Sequence, residues 1–329
     1  MILQGTVIPM TRRLHCNLYI ASCAKDGGIL HCRMSGDTLK PVNFTPLDRP
    51  MHMIIAGGKM HILLRAPFEN GESGLVTYGI AEDGTLVNPS PIISTMGEVA
   101  CHLTADGEDV YAVNYISGSV FKAPEKLAVH EGSSIHPTRQ TSPHTHFVSL
   151  TPDGEYLFVT DLGLDRIFVY RKDLSVRSTV AMPAGHGPRH LAFHADGRHV
   201  FCANELASTV SLLEYRDGEL TLIDTVNALP EDFDGISTAA AIRCVGDTVY
   251  VSNRGHDSVS VLDFSGATLT LRETIPTYGK GPRDFVIAGD RIIAANEAGD
   301  AVCVVSIDDG SLVAKLDIAS PVCVVYCSR

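Results

Sequence analysis

"ADGRHVFCANELASTVSLL", residues 195–213, holds a turn, a strand-like run, a short polar connection and a second strand-like run. Asp-Gly marks the turn, and both runs are rich in apolar and β-branched residues. The arrangement recurs along the chain at intervals of about 43 to 49 residues. Clear copies are "ADGEDVYAVNYISGSVFKA" (105–123), "PDGEYLFVTDLGLDRIFVY" (152–170), "VGDTVYVSNRGHDSVSVLDF" (245–264) and "AGDRIIAANEAGDAVCVVS" (288–306), and weaker ones are "HCNLYIASCAKDGGILHCRM" (15–34) and "GGKMHILLRAPFENGESGLVTY" (57–78).

Seven such copies predict an all-β, seven-bladed β-propeller with four antiparallel strands in each blade. No long stretch has a 3.6-residue apolar period, which disfavours an α/β barrel. The copies tile the chain, so we expect one domain over residues 1–329. The second strand of each copy is expected to end near Ser22, Arg65, Asn114, Asp161, Asn204, Asn253 and Asn296.

The two ends of the chain are predicted to share one blade. The first copy begins at its second strand, "NLYIAS", and the C-terminal "SPVCVVYCS" resembles a spare first strand. We therefore expect the last strand to complete the first blade, which removes two open sheet edges.

Composition excludes several classes of function. The formal net charge is −12 and no basic run occurs, so a surface that binds nucleic acid is not expected. No apolar segment reaches 18 residues, so no membrane span is predicted. Residues 1–13, "MILQGTVIPMTRR", lack the pattern of a signal peptide, and we expect a cytoplasmic protein.

The cysteines are expected to be reduced thiols rather than disulfides or metal ligands. Their number is odd, no CxxC occurs, and most lie in apolar runs. Clustered ligand spacing is absent, so we expect no zinc site and no cofactor. The nine are Cys16, Cys23, Cys32, Cys101, Cys202, Cys244, Cys303, Cys323 and Cys327.

Strand direction is expected to gather charged side chains at one mouth of the central channel. In an antiparallel blade, the start of the first strand and the end of the second lie at the same end. Arg189 opens a first strand and Glu205 follows the second strand of the same copy. Aligned with Arg189 are Met51, Cys101, His146, Thr238, Arg283 and Val322, and aligned with Glu205 are Tyr115, Leu162, Arg254 and Glu297.

This mouth therefore combines cationic and proton-transferring groups in an acidic protein, which favours a small anionic ligand. Arginine binds carboxylate or phosphate, while histidine and glutamate exchange protons. The same residues could instead form rim ion pairs, and the Asx residues that end the second strands are expected to stabilise turns. The expected ring is His146, Arg189, Glu205, Arg254, Arg283 and Glu297, with His102, His144 and His190 close by.

At these residues the chain resembles the seven-bladed propeller lactonase family. That family includes the cycloisomerase-type 6-phosphogluconolactonases and the fungal 3-carboxy-cis,cis-muconate lactonizing enzymes. The motifs that carry the resemblance are "HEGSS" (130–134), "SPHTH" (142–146), "GPRHLAF" (187–193), "ANEL" (203–206), "VSNRGHDSV" (251–259) and "GPRDF" (281–285).

The resemblance implies a catalytic set, which carries over to His144 or His146, Arg189, Glu205 and Arg254. We expect further contacts to substrate from His190, Asn204, Asn253, Arg283 and Glu297. Register favours His146, whereas His144 directly follows the proline of the motif.

The resulting expectation is a metal-independent lactonase acting on a small anionic sugar lactone, foremost 6-phospho-D-glucono-1,5-lactone of the pentose phosphate pathway. Arg254 and Arg283 would hold the anionic group, Arg189 would stabilise the oxyanion, and Glu205 or a histidine would activate water. Two alternatives stay open at this point: a carboxymuconate cycloisomerase, and a propeller that serves only as an interaction platform. The protein is expected to be a monomer or a homodimer.

Overall fold

The computed structural model describes residues 15–328, which form seven antiparallel sheets with a single turn of 3₁₀-helix at Glu297–Gly299. Residues 1–14, including the segment in which no signal peptide is expected, and residue 329 lie outside the described part. Each sheet is one blade, and the blades follow one another in chain order. The predicted seven-bladed propeller is confirmed.

The strands of blades 1 to 4 occupy the first half of the chain. In order they are β1 (His15–Ser22), β2 (Gly28–Ser35) and β3 (Thr38–Pro46) of blade 1; β4 (Pro50–Ala56), β5 (Lys59–Leu64), β6 (Gly74–Ile80), β7 (Leu86–Val87) and β8 (Ile93–Ser94) of blade 2; β9 (Ala100–Asp106), β10 (Asp109–Asn114), β11 (Ser119–Lys122) and β12 (Lys126–Val129) of blade 3; β13 (Thr145–Leu150), β14 (Leu157–Asp161), β15 (Arg166–Tyr170) and β16 (Val176–Ala181) of blade 4.

Blades 5 to 7 and the closing strand make up the second half. They are β17 (Pro188–Phe193), β18 (His199–Asn204), β19 (Thr209–Arg216) and β20 (Glu219–Asn227) of blade 5; β21 (Thr238–Val245), β22 (Thr248–Arg254), β23 (Ser258–Phe264) and β24 (Leu269–Pro276) of blade 6; β25 (Pro282–Ala288), β26 (Arg291–Asn296), β27 (Ala301–Ser306) and β28 (Leu312–Asp317) of blade 7; and β29 (Pro321–Ser328) of blade 1.

Blade 2 departs from the four-stranded pattern because its outer strand is broken. The short strands β7 and β8 both pair with β6, at opposite ends of it. The second strands end within one residue of the predicted positions. The two differences are β5, which ends at Leu64 rather than Arg65, and β22, which ends at Arg254 rather than Asn253.

Strand β29 closes the ring, as predicted from its sequence. It pairs antiparallel with β1, from Cys16 opposite Ser328 to Ser22 opposite Pro321. The innermost strands β29, β4, β9, β13, β17, β21 and β25 each contact the innermost strands of both neighbouring blades. A ring of this kind leaves no inner sheet edge open.

The hydrophobic core is divided among the seven blade interfaces. Seven apolar clusters are found in the described residues, and each is built from two neighbouring blades. The cluster between blades 7 and 1 includes Leu18, Ile293, Val304 and Val324. Inner and middle strands are therefore apolar on both faces, whereas outer strands such as β20 alternate with exposed positions.

The cysteines are thiols rather than disulfides, as predicted, and six of the nine are buried. Cys23, Cys244 and Cys327 are partly exposed. No helix within residues 15–328 has the length and apolar character needed to cross a membrane.

Closure by β29 predicts an unequal response to two Asp substitutions. Val324 is 1% exposed, and its backbone N–H donates to Asp284 Oδ2 at 3.0 Å. Val324→Asp would bury a carboxylate beside an existing one, and we expect a loss of about 3 kcal/mol or more in the free energy of unfolding. Denaturant unfolding followed by circular dichroism measures the loss.

The matched control is Leu312→Asp on the outer strand β28, where the side chain is 42% exposed. We expect this variant to lose no more than about 1 kcal/mol. Equal losses in the two variants would show that β29 does not close the ring in solution.

Candidate functional site

Nearly every innermost strand opens with a β-bulge that leaves one residue unpaired. In blade 5, Pro188 pairs with Asn204 and His190 pairs with Ala203, so Arg189 has no partner on β18. A bulge turns the side chain of its extra residue away from the regular pleat. The residues bulged in the same way are Met51, Cys101, His146, Arg283 and Val322, which are the positions aligned with Arg189 in the sequence.

Blade 6 corrects one of those alignments. Thr238, which was aligned with Arg189, pairs with Arg254, and the bulge falls instead at Ala240 and Ala241. Three identical alanines at 239–241 do not show which residue of the strand is bulged. The alignment of Thr238 with Arg189 was therefore wrong by two residues. Blade 6 therefore contributes only a small side chain at the position of Arg189.

The residues just before β17 and β25 are each bound by a carboxylate of the preceding blade. Gly187 donates its N–H to Asp165 Oδ1 at 2.7 Å, and its carbonyl accepts the N–H of Glu205. Its φ of +64° is a conformation that glycine adopts at no steric cost. Blade 7 repeats the arrangement, because Gly281 donates to Asp257 Oδ1 and accepts from Glu297.

Glu205 lies among three guanidinium groups. Arg139 Nη2 donates to Glu205 Oε1 at 2.6 Å, and Arg254 Nη2 lies 3.0 Å from Oε2. Arg189 Nε also lies 3.0 Å from Oε2, although without the geometry of a hydrogen bond. Glu205 and Arg189 are 3% and 2% exposed, so this ion cluster is nearly withdrawn from solvent.

Burial and charge act in opposite directions on these groups. Burial would raise the pKa of Glu205, but Arg254 and Arg189, followed by His146 and Arg139, hold it well below its usual range. Burial and the neighbouring Arg254 lower the pKa of Arg189 to about 9, against the opposing effect of Glu205. Both groups are therefore ionised at neutral pH.

The cluster has more donors than its carboxylate can satisfy. Arg189 Nη1 and Arg254 Nε are buried and find no hydrogen-bond partner among residues 15–328. Three guanidinium groups share one carboxylate, so an excess of positive charge remains. A buried, unsatisfied donor is costly, and an oxygen of an anionic ligand can satisfy it.

His146, rather than His144, is the histidine next to Glu205. His146 Nε2 lies 4.0 Å from Glu205 Oε2, and its Nδ1 lies 3.8 Å from Cys101 Sγ. Burial, reinforced by Arg189, lowers the pKa of His146 well below 6.5, so its imidazole is neutral at neutral pH. His144 Nδ1 lies 2.9 Å from the carbonyl of Tyr115, and its ring stacks on that tyrosine.

His190 belongs to a column of imidazoles that continues down the channel. Its ring centroid lies 5.3 Å from His146 and 5.1 Å from His102, which in turn lies 4.2 Å from His52. His52, His102 and His190 line a cavity of about 190 Å³ below the ion cluster. His190 was expected to contact substrate. Its ring lies between those of His146 and His102, which is farther into the channel than Glu205.

Arg283 and Glu297 form a second ion pair at the same mouth. Arg283 Nη1 donates to Glu297 Oε2 at 3.1 Å. The charge of Arg283 also contributes to lowering the pKa of Arg189 and His146, so it acts on the main cluster. Glu297 neutralises this guanidinium group, whereas the Glu205 cluster keeps its excess charge.

The amide groups of Asn204 and Asn253 donate within their own blades, and a contact of these two residues with substrate stays a prediction. Each is fully buried, and its amide N–H groups donate to hydroxyls of the next strand, at Thr209 and Ser211 for Asn204. Asn253 donates to Ser258 and Ser260 in the same way. The amide donors are therefore used within the blade, which is the turn-stabilising role expected for Asx residues.

Arg139 is a site residue that sequence reasoning missed. It donates to Tyr115 Oη at 3.2 Å as well as to Glu205. It comes from the long connection between β12 and β13, which has no counterpart of fixed length in the other copies. Only its position between "HEGSS" and "SPHTH" could have drawn attention to it.

The mouth does not gather metal ligands within the described residues. The His, Cys, Asp and Glu side chains of residues 15–328 form one group of three with converging ligand atoms, His194, Asp196 and His199. That group lies in the hairpin between β17 and β18, at the end of the blade opposite Glu205.

Comparison with known proteins agrees with this architecture. The family model of the seven-bladed β-propeller lactonases matches residues 17–326. The chain belongs to the seven-bladed β-propeller lactonase family. An uncharacterized protein of Staphylococcus saprophyticus is 32% identical over 263 residues, which cover 73% of this chain and 76% of that protein.

Two solved structures of similar proteins share the fold. One is a candidate 6-phosphogluconolactonase from Bacteroides fragilis, with a TM-score of 0.86, 24% identity, and coverage of 98% of this chain and 100% of that one. The other is the periplasmic gluconolactonase PpgL of Pseudomonas aeruginosa, with a TM-score of 0.86, 24% identity, and coverage of 95% and 99%. At this identity the likeness establishes the propeller fold.

The buried imidazoles predict a loss of stability in mild acid. Burial lowers the pKa of His52 to about 4 and lowers that of His102 well below 6.5. Between the lowered pKa values and about pH 6.5, the unfolded chain binds more protons than the folded protein does. The free energy of unfolding therefore falls as the pH drops through this range. His52 alone can contribute up to about 3 kcal/mol over that range. Urea unfolding at pH 7 and pH 5 measures the difference.

His102→Phe should reduce this pH dependence, because it removes one of the titrating groups. Phe147→Leu is the matched control, since the ring centroid of Phe147 lies 4.3 Å from that of His102 and phenylalanine does not titrate. We expect the control to lower stability equally at both pH values. The prediction is wrong if His102→Phe keeps the full pH dependence of the wild type.

Proposed function

We propose that the protein is a metal-independent lactonase that hydrolyses an anionic sugar lactone, foremost 6-phospho-D-glucono-1,5-lactone, to the open-chain acid. The observation that carries the proposal is the Glu205 cluster, in which three guanidinium groups share one carboxylate next to a neutral imidazole. The names of the two similar structures, both connected with gluconolactone chemistry, support a sugar lactone as the substrate class.

The excess positive charge supports an anionic substrate. The protein carries a formal net charge of −12, so its surface as a whole repels anions. At the mouth, Arg254 is one-fifth exposed and offers its guanidinium to solvent, and Arg283 on the next blade is exposed to a similar extent. We assign these two arginines to the phosphate or carboxylate of the substrate.

Arg189 and His146 are suited to the chemical step. Arg189 Nη1 is a buried donor that can bind the lactone carbonyl oxygen and stabilise the negative charge it acquires. The neutral imidazole of His146 can take a proton from water as that water attacks the carbonyl carbon. The ring C–O bond then breaks, and the proton passes to the departing alkoxide oxygen.

Glu205 is better suited to positioning than to proton transfer. Its lowered pKa makes it a weak base, and its oxygens face three guanidinium groups. We therefore assign Glu205 to holding Arg139, Arg189 and Arg254 around the substrate, and the role of base to His146.

The location and the oligomeric state are part of the proposal. Nine cysteines held as thiols are typical of proteins in reducing compartments, which supports the cytoplasm. The solved gluconolactonase of Pseudomonas aeruginosa is periplasmic, so the compartment can differ between proteins of this fold. We expect a monomer or a homodimer that needs no cofactor.

Arg189→Met and His146→Asn should both impair hydrolysis. Removal of an oxyanion donor should lower kcat by about 10²–10³-fold, and removal of the base by about 10²–10⁴-fold. The measurement is acid release from 6-phosphogluconolactone in the presence of a chelator, corrected for spontaneous hydrolysis.

Arg216→Met is the control, because Arg216 is exposed at the far end of blade 5 and, within residues 15–328, forms an ion pair with Glu214. We expect wild-type rates from it. If folded Arg189→Met and His146→Asn hydrolyse the lactone as fast as the wild type, these residues do not belong to the mechanism. Turnover of carboxymuconate in place of the lactone would instead support a cycloisomerase.

Arg254→Met should weaken selectivity for the phosphorylated substrate. We expect kcat/KM for 6-phosphogluconolactone to fall at least tenfold, because a charge-assisted contact is lost, while that for unphosphorylated gluconolactone changes less. Equal losses for both lactones would contradict a role of Arg254 in phosphate binding. Arg283→Met tests the second assigned cation in the same way.

A further inference from the structure

The hairpin between β17 and β18 brings together three metal-ligating side chains far from the Glu205 cluster. His194, Asp196 and His199 occupy the turn, whereas Glu205 follows the opposite end of β18. Six residues of extended strand separate His199 from Glu205, which corresponds to about 20 Å. Any ion bound here is therefore remote from the proposed lactone site.

Three ligand atoms converge at this turn. His194 Nδ1 lies 3.0 Å from Asp196 Oδ2, and His199 Nδ1 lies 2.6 Å from the same oxygen. Suitable ligand atoms of all three residues lie within 4.8 Å of one another. Two imidazole nitrogens and one carboxylate oxygen form a donor set that suits zinc and similar transition metals better than magnesium or calcium.

The contacts of His194 indicate which nitrogen can bind an ion. His194 Nε2 lies 3.0 Å from Asp247 Oδ1 on the neighbouring blade. The backbone N–H of Asp196 donates to Nδ1, at 3.4 Å, which leaves Nδ1 as an acceptor. Nδ1 and Asp196 Oδ2 lie 3.0 Å apart, a separation at which one cation can bind both atoms.

Asp247 stands where metal sites place a supporting carboxylate. It belongs to blade 6, in the turn that directly precedes β22, and reaches Nε2 of His194. A carboxylate bound to the second nitrogen of a ligating histidine fixes the tautomer and makes the imidazole a better ligand. Metal binding would thus link the hairpins of two neighbouring blades.

The ligands are held in place before any ion binds. Phe264 contacts both imidazole rings, with centroid distances of 5.2 Å to His194 and 4.9 Å to His199. Asp196 Oδ1 accepts the backbone N–H groups of Arg198 and His199, which orients the carboxylate. The two histidine side chains remain 15% and 13% exposed, so an ion can reach them.

We propose that His194, Asp196 and His199 form a divalent transition-metal site of the zinc class, supported by Asp247. Three protein ligands leave coordination positions for water, as in open zinc sites. Because the site joins blades 5 and 6 at the end away from the Glu205 cluster, we assign it to stabilising the propeller rather than to lactone chemistry.

The corresponding hairpin of blade 4 shows that the fold does not require these histidines. There, Thr151, Asp153 and Tyr156 occupy the positions of His194, Asp196 and His199. His199→Tyr therefore removes a ligand while introducing a residue that the same turn already accepts. Asp196→Asn is a second variant, because its amide oxygen can still accept the N–H groups of the turn.

The test uses the full chain, freed of metal with a chelator that is then removed. Zn²⁺ binding is followed by calorimetry and by the rise in Tm, and Co²⁺ by its visible absorption. We expect one equivalent to bind and to raise Tm in the wild type. His199→Tyr and Asp196→Asn should lose this equivalent or bind it more than tenfold more weakly, and Asp247→Asn about 10–100-fold more weakly.

Asp173→Asn is the matched control, since Asp173 is an exposed turn carboxylate of blade 4 that accepts hydrogen bonds from Ser175. It should bind Zn²⁺ like the wild type. The proposal is overturned if the wild type neither binds Zn²⁺ nor gains stability from it. It is also overturned if folded His199→Tyr and Asp196→Asn keep wild-type affinity, because the ion then binds elsewhere, for example at thiols. A chelator should leave lactone hydrolysis unchanged, so this test is independent of the proposed activity.

Discussion

The pairing of the C-terminal strand with the first strand is the contact on which the molecule depends. A single blade cannot bury both of its faces, and the apolar clusters lie between blades rather than within them. Each cluster therefore needs a neighbour, and only a closed ring gives every blade two. The pairing of Leu18 with Tyr326 and of Ile20 with Val324 provides that closure.

The ring also determines which side chains reach the channel. Because the innermost strands open with bulges, one residue in a blade is turned out of the pleat at the mouth. In three blades that residue is an arginine or a histidine: His146, Arg189 and Arg283. Carboxylates of preceding blades hold Gly187 and Gly281, so the geometry of a strand start depends on the blade before it.

The electrostatics of the mouth follow from this convergence. Burying a guanidinium group is unfavourable unless a counter-charge lies close by, and Glu205 serves three of them at once. The same burial keeps His146 neutral, since protonation next to Arg189 would add a second buried cation. An excess of positive charge and a neutral imidazole therefore come from one arrangement of charges.

The seven blades, the closing strand and the mouth at which Arg189, Glu205 and Arg254 meet could be predicted from the sequence alone, because strand alternation and turn residues are local and periodic. Features that depend on strand register and on loops of irregular length became visible only in the folded structure. The bulge among the alanines at 239–241 could not be predicted from the sequence. Neither could the contact of Arg139, in the long connection before β13, with Glu205. Tertiary structure also directed the amides of Asn204 and Asn253 into their blades, because a side chain's orientation is settled by its neighbours rather than by its place in a motif.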